Sequence, residues 1–294
     1  MTIKQYRAHF NESLKHLYPT SEIDSFFFLI LEEYMGLKRI DIVLKSDFLI
    51  DKKSLNLMQI ATKQLEQEIP IQYIIGKTEF FGLPFHVNKE VLIPRPETEE
   101  LVEQVLKKVS LIKTCNSSKN ETIKEKQLKV LDIGTGSGCI AISLKKQLPS
   151  SEVSALDVSN KALRVAKKNA FLNNVDINFV HQDILKTNDL DKLYDVIISN
   201  PPYVRELEKK EIKNNVLNNE PHLALFVDNK NPLLFYNKIA ELAKKFLIKN
   251  GQLHFEINQY LGKETIKLLA EKGFKNIQLK KDIFGNDRII SAFK

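Results

Sequence analysis

The residues best suited to chemistry are Asn200–Tyr203, where the letters NPPY follow the apolar segment DVIIS. Two successive prolines have fixed φ angles and no N–H, so they form a rigid turn and leave their carbonyl groups free to accept hydrogen bonds. The Asn200 side-chain oxygen is a further acceptor. Together with the Pro201 carbonyl it can bind both hydrogens of a planar NH₂ group and direct the nitrogen lone pair at an electrophile. We therefore predict that Asn200, Pro201 and Tyr203 are catalytic.

Tyr203 has two possible roles in this motif. Its ring can supply a flat face that covers a planar group, in which case Phe would replace it well. Its phenol oxygen can instead accept a proton, in which case Phe would be as damaging as Ala. Pro202 completes the predicted substrate-binding set with Asn200, Pro201 and Tyr203. Positioning chemistry of this kind needs no metal and no strong base, and we predict no metal site.

A glycine-rich loop, GTGSG, follows the strand-like letters VLDI and opens a helix-like segment. Glycines let the backbone turn tightly and approach a ligand closely. The spacing is not that of a dinucleotide fingerprint or of a Walker loop. Strand-end acids follow, and they can accept hydrogen bonds from a ribose and from an adenine amino group. We predict an adenosine cofactor bound by Gly134, Gly136, Gly138, Asp157 and Asp183.

The elements that must position these residues alternate along the second half of the chain. From Leu128 onward strand-like and helix-like segments alternate, which predicts a doubly wound, mostly parallel sheet. The last two strands are too close for a crossover helix, so they should pair antiparallel. We predict helices at 137–148, 160–173, 231–249 and 260–272.

The first half of the chain has a different character. Residues 1–76 predict a bundle of three or four short helices with apolar stripes. Residues 78–94 alternate around GLP and predict a β-hairpin. A helix should start at Pro96, with acids in its first turn. The polar stretch 113–127 predicts an exposed loop.

Composition sets further limits on the protein. The chain has 294 residues, of which 43% are hydrophobic and 28% are charged, as in ordinary globular proteins. Its longest apolar run is the six residues Phe26–Leu31, too short for a membrane span, and its N-terminus lacks the apolar stretch of a signal peptide. With two cysteines, Cys115 and Cys139, we expect a cytoplasmic location. The net charge of +7 reflects scattered lysines, so we expect no stable nucleic-acid binding.

The glycine loop and its acids resemble those of class I S-adenosylmethionine-dependent methyltransferases. The resemblance covers about residues 94–294. It implies a seven-stranded α/β sheet with an antiparallel last strand, S-adenosylmethionine as cofactor and S-adenosylhomocysteine as product. The NPPY letters are shared by methyltransferases that act on DNA adenine, on rRNA guanine and on protein glutamine. The motif therefore indicates the chemistry and leaves the substrate open.

Over its full length the chain resembles the release factor glutamine methyltransferase family (HemK/PrmC). The most specific marks are IPRPETEELV at Ile93–Val102 and SNPPYV at Ser199–Val204. The resemblance implies methylation of the glutamine amide in the Gly-Gly-Gln motif of peptide chain release factors. It also implies a substrate-docking bundle at 1–76, a hairpin linker at 77–95 and a methyltransferase domain at 96–294.

Some questions stay open within this resemblance. By resemblance, the cofactor-binding residues also include Thr135, Ser137, Ile184 and Asn200. The family often has an aromatic residue after the third-strand acid, where this chain has Ile184, which can still offer an apolar contact to the adenine. Glu97 and Glu99 can be bases beside the pocket or simply a dipole-matched helix start. A DNA adenine enzyme would need a basic, aromatic recognition segment after Tyr203, and none is evident. An rRNA guanine enzyme fits the net charge but not the RPETEELV letters.

Overall fold

The computed structural model describes residues 1–44, 47–116 and 127–294. The chain forms two compact units. The first comprises Met1–Lys77 with Lys213–Asn219, and the second comprises Thr78–Ile212 with Glu220–Lys294. Within the described residues, no helix is both long enough and apolar enough to cross a membrane.

The first unit is helical. Its N-terminal helices are α1 (Ile3–Leu14), α2 (Thr20–Met35), α3 (Arg39–Leu44), α4 (Lys52–Glu66) and α5 (Ile71–Ile75). The Asp51 carboxylate caps α4 by accepting from the backbone N–H of Lys53 and Ser54. Gly36 ends α2 in the left-handed conformation, with φ of 65°. The N-terminal helical bundle predicted from the sequence is confirmed, and the short helices α3 and α5 are additions to it.

The second unit contains a β-hairpin, a seven-stranded sheet and the helices that cover it. The hairpin strands are β1 (Lys77–Phe80) and β2 (Leu83–His86). The later strands are β3 (Lys129–Ile133), β4 (Glu152–Asp157), β5 (Asn178–His181), β6 (Tyr194–Ser199), β7 (Val204–Arg205), β8 (Phe226–Val227), β9 (Leu247–Glu256), β10 (Lys275–Lys281) and β11 (Asp287–Phe293). The helices are α6 (Pro96–Asn116), α7 (Cys139–Gln147), α8 (Asn160–Leu172), α9 (Asn214–Asn219, which belongs to the first unit), α10 (His222–Leu225), α11 (Leu234–Phe246) and α12 (Gly262–Glu271), with a 3₁₀ helix at Glu206–Glu211.

The large sheet has the strand order β10-β11-β9-β6-β3-β4-β5. The strands from β9 to β5 are parallel, with Leu131 of β3 paired to Ile197 of β6 and Ser154 of β4. The last strand, β11, runs antiparallel to both β9 and β10. Core side chains cover both faces of the sheet, as the apolar strand sequences require. The predicted fold class is confirmed, including the antiparallel last strand.

Several element ends differ from the predicted ones. Helix α7 begins two residues later than predicted because Gly138, at φ of 84°, interrupts the helical backbone. Helix α11 ends at Phe246 because the next residue already belongs to β9. Helix α6 continues to Asn116, so residues 113–116 are helical where a loop was predicted, and the rest of that predicted loop, up to residue 126, lies outside the described residues.

Asn169 on α8 fixes both the hairpin and the glycine loop. Its Oδ1 accepts from the His86 N–H at 2.7 Å, and its Nδ2 donates to the His86 carbonyl at 3.0 Å and to the Ser137 carbonyl at 2.9 Å. Asn173, one turn later, donates to the Pro84 carbonyl at 2.9 Å. Two asparagine side chains thus substitute for backbone partners that strand β2 and the loop do not have.

We predict that Asn169→Ala destabilises the protein strongly. The change leaves one N–H and two carbonyls without their partner, and a buried polar group left unpaired costs about 1–3 kcal/mol. Urea unfolding should show a loss of about 2–3 kcal/mol. The matched control is Asn178→Ala on the exposed side of β5, which should change little. Equal effects of the two changes would contradict this role for Asn169.

Candidate active site

A cavity of about 470 Å³ lies in the second unit, at the edge where the parallel strands end. That volume is within the usual range for small-molecule sites. Its wall includes Asp157 at the end of β4 and residues that follow β3, β5 and β6, namely Gly134, Asp183 and Asn200. In open α/β sheets this edge is where ligands bind, because the loops after successive strands meet there.

The glycine loop forms the part of the wall that follows β3. Gly134, Gly136 and Gly138 all have positive φ, at 74°, 54° and 84°. A Cβ at either of the first two would meet no atom within 4 Å, whereas at Gly138 it would lie 2.9 Å from Ile142 Cδ1. The first two glycines therefore keep space open beside the cavity, and the third lets the loop pack on α7 and α8.

Asp157 ends β4 and supports this loop. Its Oδ2 accepts from the Gly136 N–H and its Oδ1 from the Ser159 N–H, both at 2.8 Å. Burial raises the pKa of the carboxyl despite these hydrogen bonds. Each carboxylate oxygen can accept more than one hydrogen bond, so Asp157 can bind a ligand hydroxyl while it holds the loop.

The wall after β5 combines an acid with an apolar surface. Asp183 accepts from the Leu185 N–H at 3.0 Å and lies 3.2 Å from the Lys186 ammonium. Ile184 is buried in the core and also lines the cavity. Next to Asp183 the cavity wall is therefore aliphatic, not aromatic.

Asp132, the residue before the last in β3, lies just ahead of the glycine loop and was not among the predicted site residues. It accepts from the Thr135 hydroxyl at 2.6 Å, and its Oδ1 has no hydrogen-bond partner among the described residues. Complete burial raises the pKa of its carboxyl to about 7. Thr135 and Ser137 both line the cavity beside it.

Asn200, Pro201 and Pro202 form the wall after β6. Asn200 Nδ2 donates to Thr98 Oγ1 at 3.2 Å. Neither Asn200 Oδ1 nor the Pro201 carbonyl has a hydrogen-bond partner in the part of the chain that the structure describes. Two acceptors without protein partners therefore stand at one corner of the cavity.

Tyr203 does not line the cavity. Its ring packs against the core, and its phenol donates to Glu256 Oε1 at 2.9 Å. Burial, reinforced by the Glu256 carboxylate, raises the pKa of the phenol well above its usual value. The phenol therefore stays protonated at neutral pH, which argues against its use as a proton acceptor. A contact between the Tyr203 ring and a substrate stays a prediction.

The two glutamates at the start of α6 lie outside the cavity wall. Neither Glu97 nor Glu99 lines the cavity, and Glu99 Oε1 accepts from the Phe81 N–H at 2.7 Å. Thr98, between them, does line the cavity, and its hydroxyl donates to Glu256 Oε2 at 2.6 Å. Sequence reasoning missed Thr98 and Glu256. The available signal was an acid at the end of the buried strand segment HFE.

Glu220 joins two segments of the wall and was also missed. Its buried carboxylate pairs with the Arg95 guanidinium and accepts from the Ile93 N–H at 3.3 Å. Arg95 lines the cavity, and so do Pro221 and His222, which follow Glu220. The described residues contain no group of three or more His, Cys, Asp or Glu side chains that could hold a metal ion.

Comparison with known proteins gives matches over the whole chain. Residues 5–76 match the family described as PrmC N-terminal domain, and residues 120–224 match the one described as Methyltransferase small domain. The release factor glutamine methyltransferase of Flavobacterium psychrophilum is 57% identical over 99% of both chains. That of Bacteroides thetaiotaomicron is 41% identical over 97% of this chain and 98% of its own.

Among solved structures, the Thermus thermophilus 16S rRNA N2 G1207 methyltransferase, in complex with AdoMet and guanosine, shares the fold. It is 19% identical, with a TM-score of 0.51 over 74% of this chain and 49% of its own. The sheet order and the glycine loop at its carboxyl edge are those of a class I methyltransferase. The full-length matches are more specific. The chain belongs to the release factor glutamine methyltransferase family.

We predict that Gly138→Ala and Gly136→Ala have different effects on the protein without ligand. Both substitutions add a side chain at positive φ, but only that at Gly138 also creates a clash. Overpacking of this kind costs about 1–3 kcal/mol, so chemical denaturation should show Gly138→Ala as the less stable by that amount. Equal stability of the two variants would contradict the packing role of Gly138.

Proposed function

We propose that the protein transfers a methyl group from S-adenosylmethionine to the side-chain amide of the glutamine in the Gly-Gly-Gln motif of peptide chain release factors. The observation that carries this proposal is the pair of unpartnered acceptors, Asn200 Oδ1 and the Pro201 carbonyl, at one corner of the cavity. Family membership supports the substrate, since relatives with full-length similarity are release factor glutamine methyltransferases. This substrate belongs to translation termination, which we place in the cytoplasm.

The cavity residues fit S-adenosylmethionine. Gly134 and Gly136 leave open space where a bulky ligand needs it, and Asp157 is fixed with acceptor capacity to spare for ribose hydroxyls. Asp183 can accept from the adenine amino group, and Ile184 offers an apolar face to the ring. When bound, the cofactor supplies a methyl group on a positively charged sulfur. The predicted cofactor contacts of Thr135, Ser137, Gly138 and Asn200 belong to the same proposal.

The chain's own contribution is to orient the amide. The nitrogen lone pair of a glutamine amide is delocalised, so the nitrogen is a poor nucleophile unless it is held in place. Asn200 Oδ1 and the Pro201 carbonyl accept its two N–H groups and turn the nitrogen toward the glycine-loop side of the cavity. As the nitrogen becomes positively charged, the same two dipoles stabilise it, and release of one of its two N–H protons to solvent then leaves the neutral N-methyl amide. Pro202 keeps the corner rigid, so that the acceptors need little rearrangement.

Labelled transfer tests the function directly. The full chain is incubated with methyl-labelled S-adenosylmethionine and one acceptor at a time. The acceptors are a release factor, the same factor with Ala in place of the motif glutamine, naked DNA and ribosomal particles. We expect label only in the unaltered factor. Label in DNA or in ribosomal particles, with none in the factor, would overturn the proposal in favour of a nucleic-acid amino group.

We predict that Asn200→Ala lowers the rate of transfer by about a hundredfold or more, because the amide loses one of its two orienting acceptors. The fold should survive, since residue 200 follows β6 and needs no special backbone conformation. Single-turnover rates on a release factor at saturating cofactor measure the effect, with thermal unfolding as the control for folding. A variant within a few-fold of the unaltered enzyme would remove Asn200 from the mechanism.

We further propose that the helical bundle at 1–76 docks the release factor, with 77–95 as linker to the methyltransferase domain at 96–294. The bundle contains none of the cavity residues, so it has no part in holding the cofactor. We predict that hydrogen exchange of the full chain slows within residues 1–76 when a release factor is added. S-adenosylmethionine alone should slow exchange in the glycine loop and not in the bundle. Unchanged exchange throughout the bundle on addition of the factor would contradict docking there.

A further inference from the structure

A chain of hydrogen bonds beneath the cavity connects Asn200 to a buried carboxylate. Asn200 Nδ2 lies 3.2 Å from Thr98 Oγ1, and Thr98 Oγ1 lies 2.6 Å from Glu256 Oε2. The other carboxylate oxygen, Oε1, accepts from the Tyr203 phenol at 2.9 Å. Thr98 is 3% exposed and Glu256 is 2% exposed, so both side chains are largely shielded from solvent.

The direction of these hydrogen bonds follows from how many hydrogens each group has. An ionised carboxylate only accepts, and a threonine hydroxyl has a single hydrogen to donate. That hydrogen is committed to Glu256, so Thr98 Oγ1 can only accept from its second neighbour. The end of the Asn200 amide that faces Thr98 must therefore be the NH₂ group. Its Oδ1 is consequently the end left for a substrate.

We propose that Thr98 is a positioning residue: its hydroxyl, oriented by the Glu256 carboxylate, sets the Asn200 amide so that Oδ1 and not Nδ2 meets the substrate amide. The inference rests on the proposed role of Asn200 as an acceptor for that amide. If the Asn200 amide were turned by 180°, its Nδ2 hydrogens would meet the N–H hydrogens of the substrate amide, and Asn200 could not accept a hydrogen bond from it. Thr98 thus supplies no atom to the reaction and acts through its neighbour.

Glu256 lies at the centre of several ionisable groups. Burial raises the pKa of its carboxyl, while the hydrogen bonds from Thr98 and Tyr203 and the charge of Arg288 lower it in part. The titratable and charged groups that face it are Tyr203, Tyr236, Arg288, Glu97 and Cys139. Arg288 is in turn paired with Asp282 at 3.0 Å. The guanidinium and the two hydroxyl donors favour the ionised form of Glu256, against burial, which favours the neutral acid.

The test compares Thr98→Val, which has nearly the same shape and no hydroxyl, with Thr98→Ser, which keeps the hydroxyl. Single-turnover rates on a release factor are measured at saturating S-adenosylmethionine, and cofactor affinity is measured by calorimetry. We expect Thr98→Val to slow transfer by about 10- to 100-fold, since a misplaced positioning group has costs of this order. We expect Thr98→Ser to recover most of the rate. The cofactor dissociation constant should change by less than about threefold in both variants, because neither loses a group assigned to the cofactor.

A double-mutant cycle shows whether Thr98 acts through Asn200. In an Asn200→Ala background, Thr98→Val should cost nothing further, because there is no amide left to orient. A full additional loss in that background would mean that Thr98 acts by packing, and would overturn the inference. A Thr98→Val enzyme that transfers the methyl group as fast as the Thr98→Ser enzyme would also overturn the inference. If Asn200→Ala alone leaves the transfer rate unchanged, the proposed role of Asn200 as an acceptor for the substrate amide is wrong. That result would refute the proposed function of Asn200 and not the inference about Thr98.

A matched control comes from α12. Thr265 is a fully buried threonine of the same unit, and its hydroxyl donates to the Leu261 carbonyl at 2.8 Å, away from the cavity. Thr265→Val should leave the transfer rate unchanged. It shows whether loss of a buried threonine hydroxyl is by itself enough to slow the enzyme.

The pH profile gives a readout that a purely structural role would not change. Once protonated, Glu256 can donate to Thr98, whose own hydrogen then becomes available to Asn200 Oδ1, and the amide turns. The rate of the unaltered enzyme should therefore fall as the pH drops through the raised pKa of Glu256. Thr98→Val should lack this one ionisation and keep those of other groups, such as Asp132. Identical acidic limbs in the two profiles would overturn the inference.

Discussion

Parallel pairing of the central strands is the constraint on which the rest of the molecule depends. Because β3 pairs with both β4 and β6, the residues that follow these strands lie side by side. The glycine loop, Asp157 and Asn200 are far apart in the sequence and reach one cavity only through this pairing. A one-residue slip of register would move each side chain to the opposite face of the sheet and disrupt the packing of both cores, so the cores that stabilise the sheet also fix the position of the site.

Side-chain amides and carboxylates bind backbone groups that the strands leave without hydrogen-bond partners. Strand ends and loops expose backbone groups that have no ladder partner. Asn169 binds such groups in the hairpin and in the glycine loop, Asp157 binds N–H groups in the loop, and Glu220 binds the Ile93 N–H. Burial of each of these polar groups costs free energy of desolvation, and the hydrogen bonds that it makes offset that cost. The result is a cavity whose walls are fixed by bonds that run across the chain rather than along it.

The sequence predicted those parts of the molecule whose cause is local. Alternation of strand-like and helix-like segments predicted the sheet, and the turn at Gly82 predicted the hairpin. The double proline predicted the rigid turn that follows β6. The missed residues have causes that are not local. Thr98 is 158 residues from its partner Glu256, and Glu220 is 125 residues from Arg95. In the sequence, Thr98 belongs to an ordinary helix start. Only the fold gives either glutamate its partner.

The charge of the buried Glu256 carboxylate explains how the neutral side-chain amide of Asn200 can be held in one orientation. If a neutral amide stood in the place of Glu256, it could offer Thr98 either an oxygen or an NH₂ group. Thr98 could then donate or accept, and the two orientations of Asn200 would differ little in energy. An ionised carboxylate has acceptors only, so it allows a single direction for every hydrogen bond above it. Its burial is costly, and the two hydroxyl donors together with Arg288 offset that cost in part. The orientation of the Asn200 amide, which meets the substrate, is thus set through Thr98 by the Glu256 carboxylate, a group that does not itself contact the substrate.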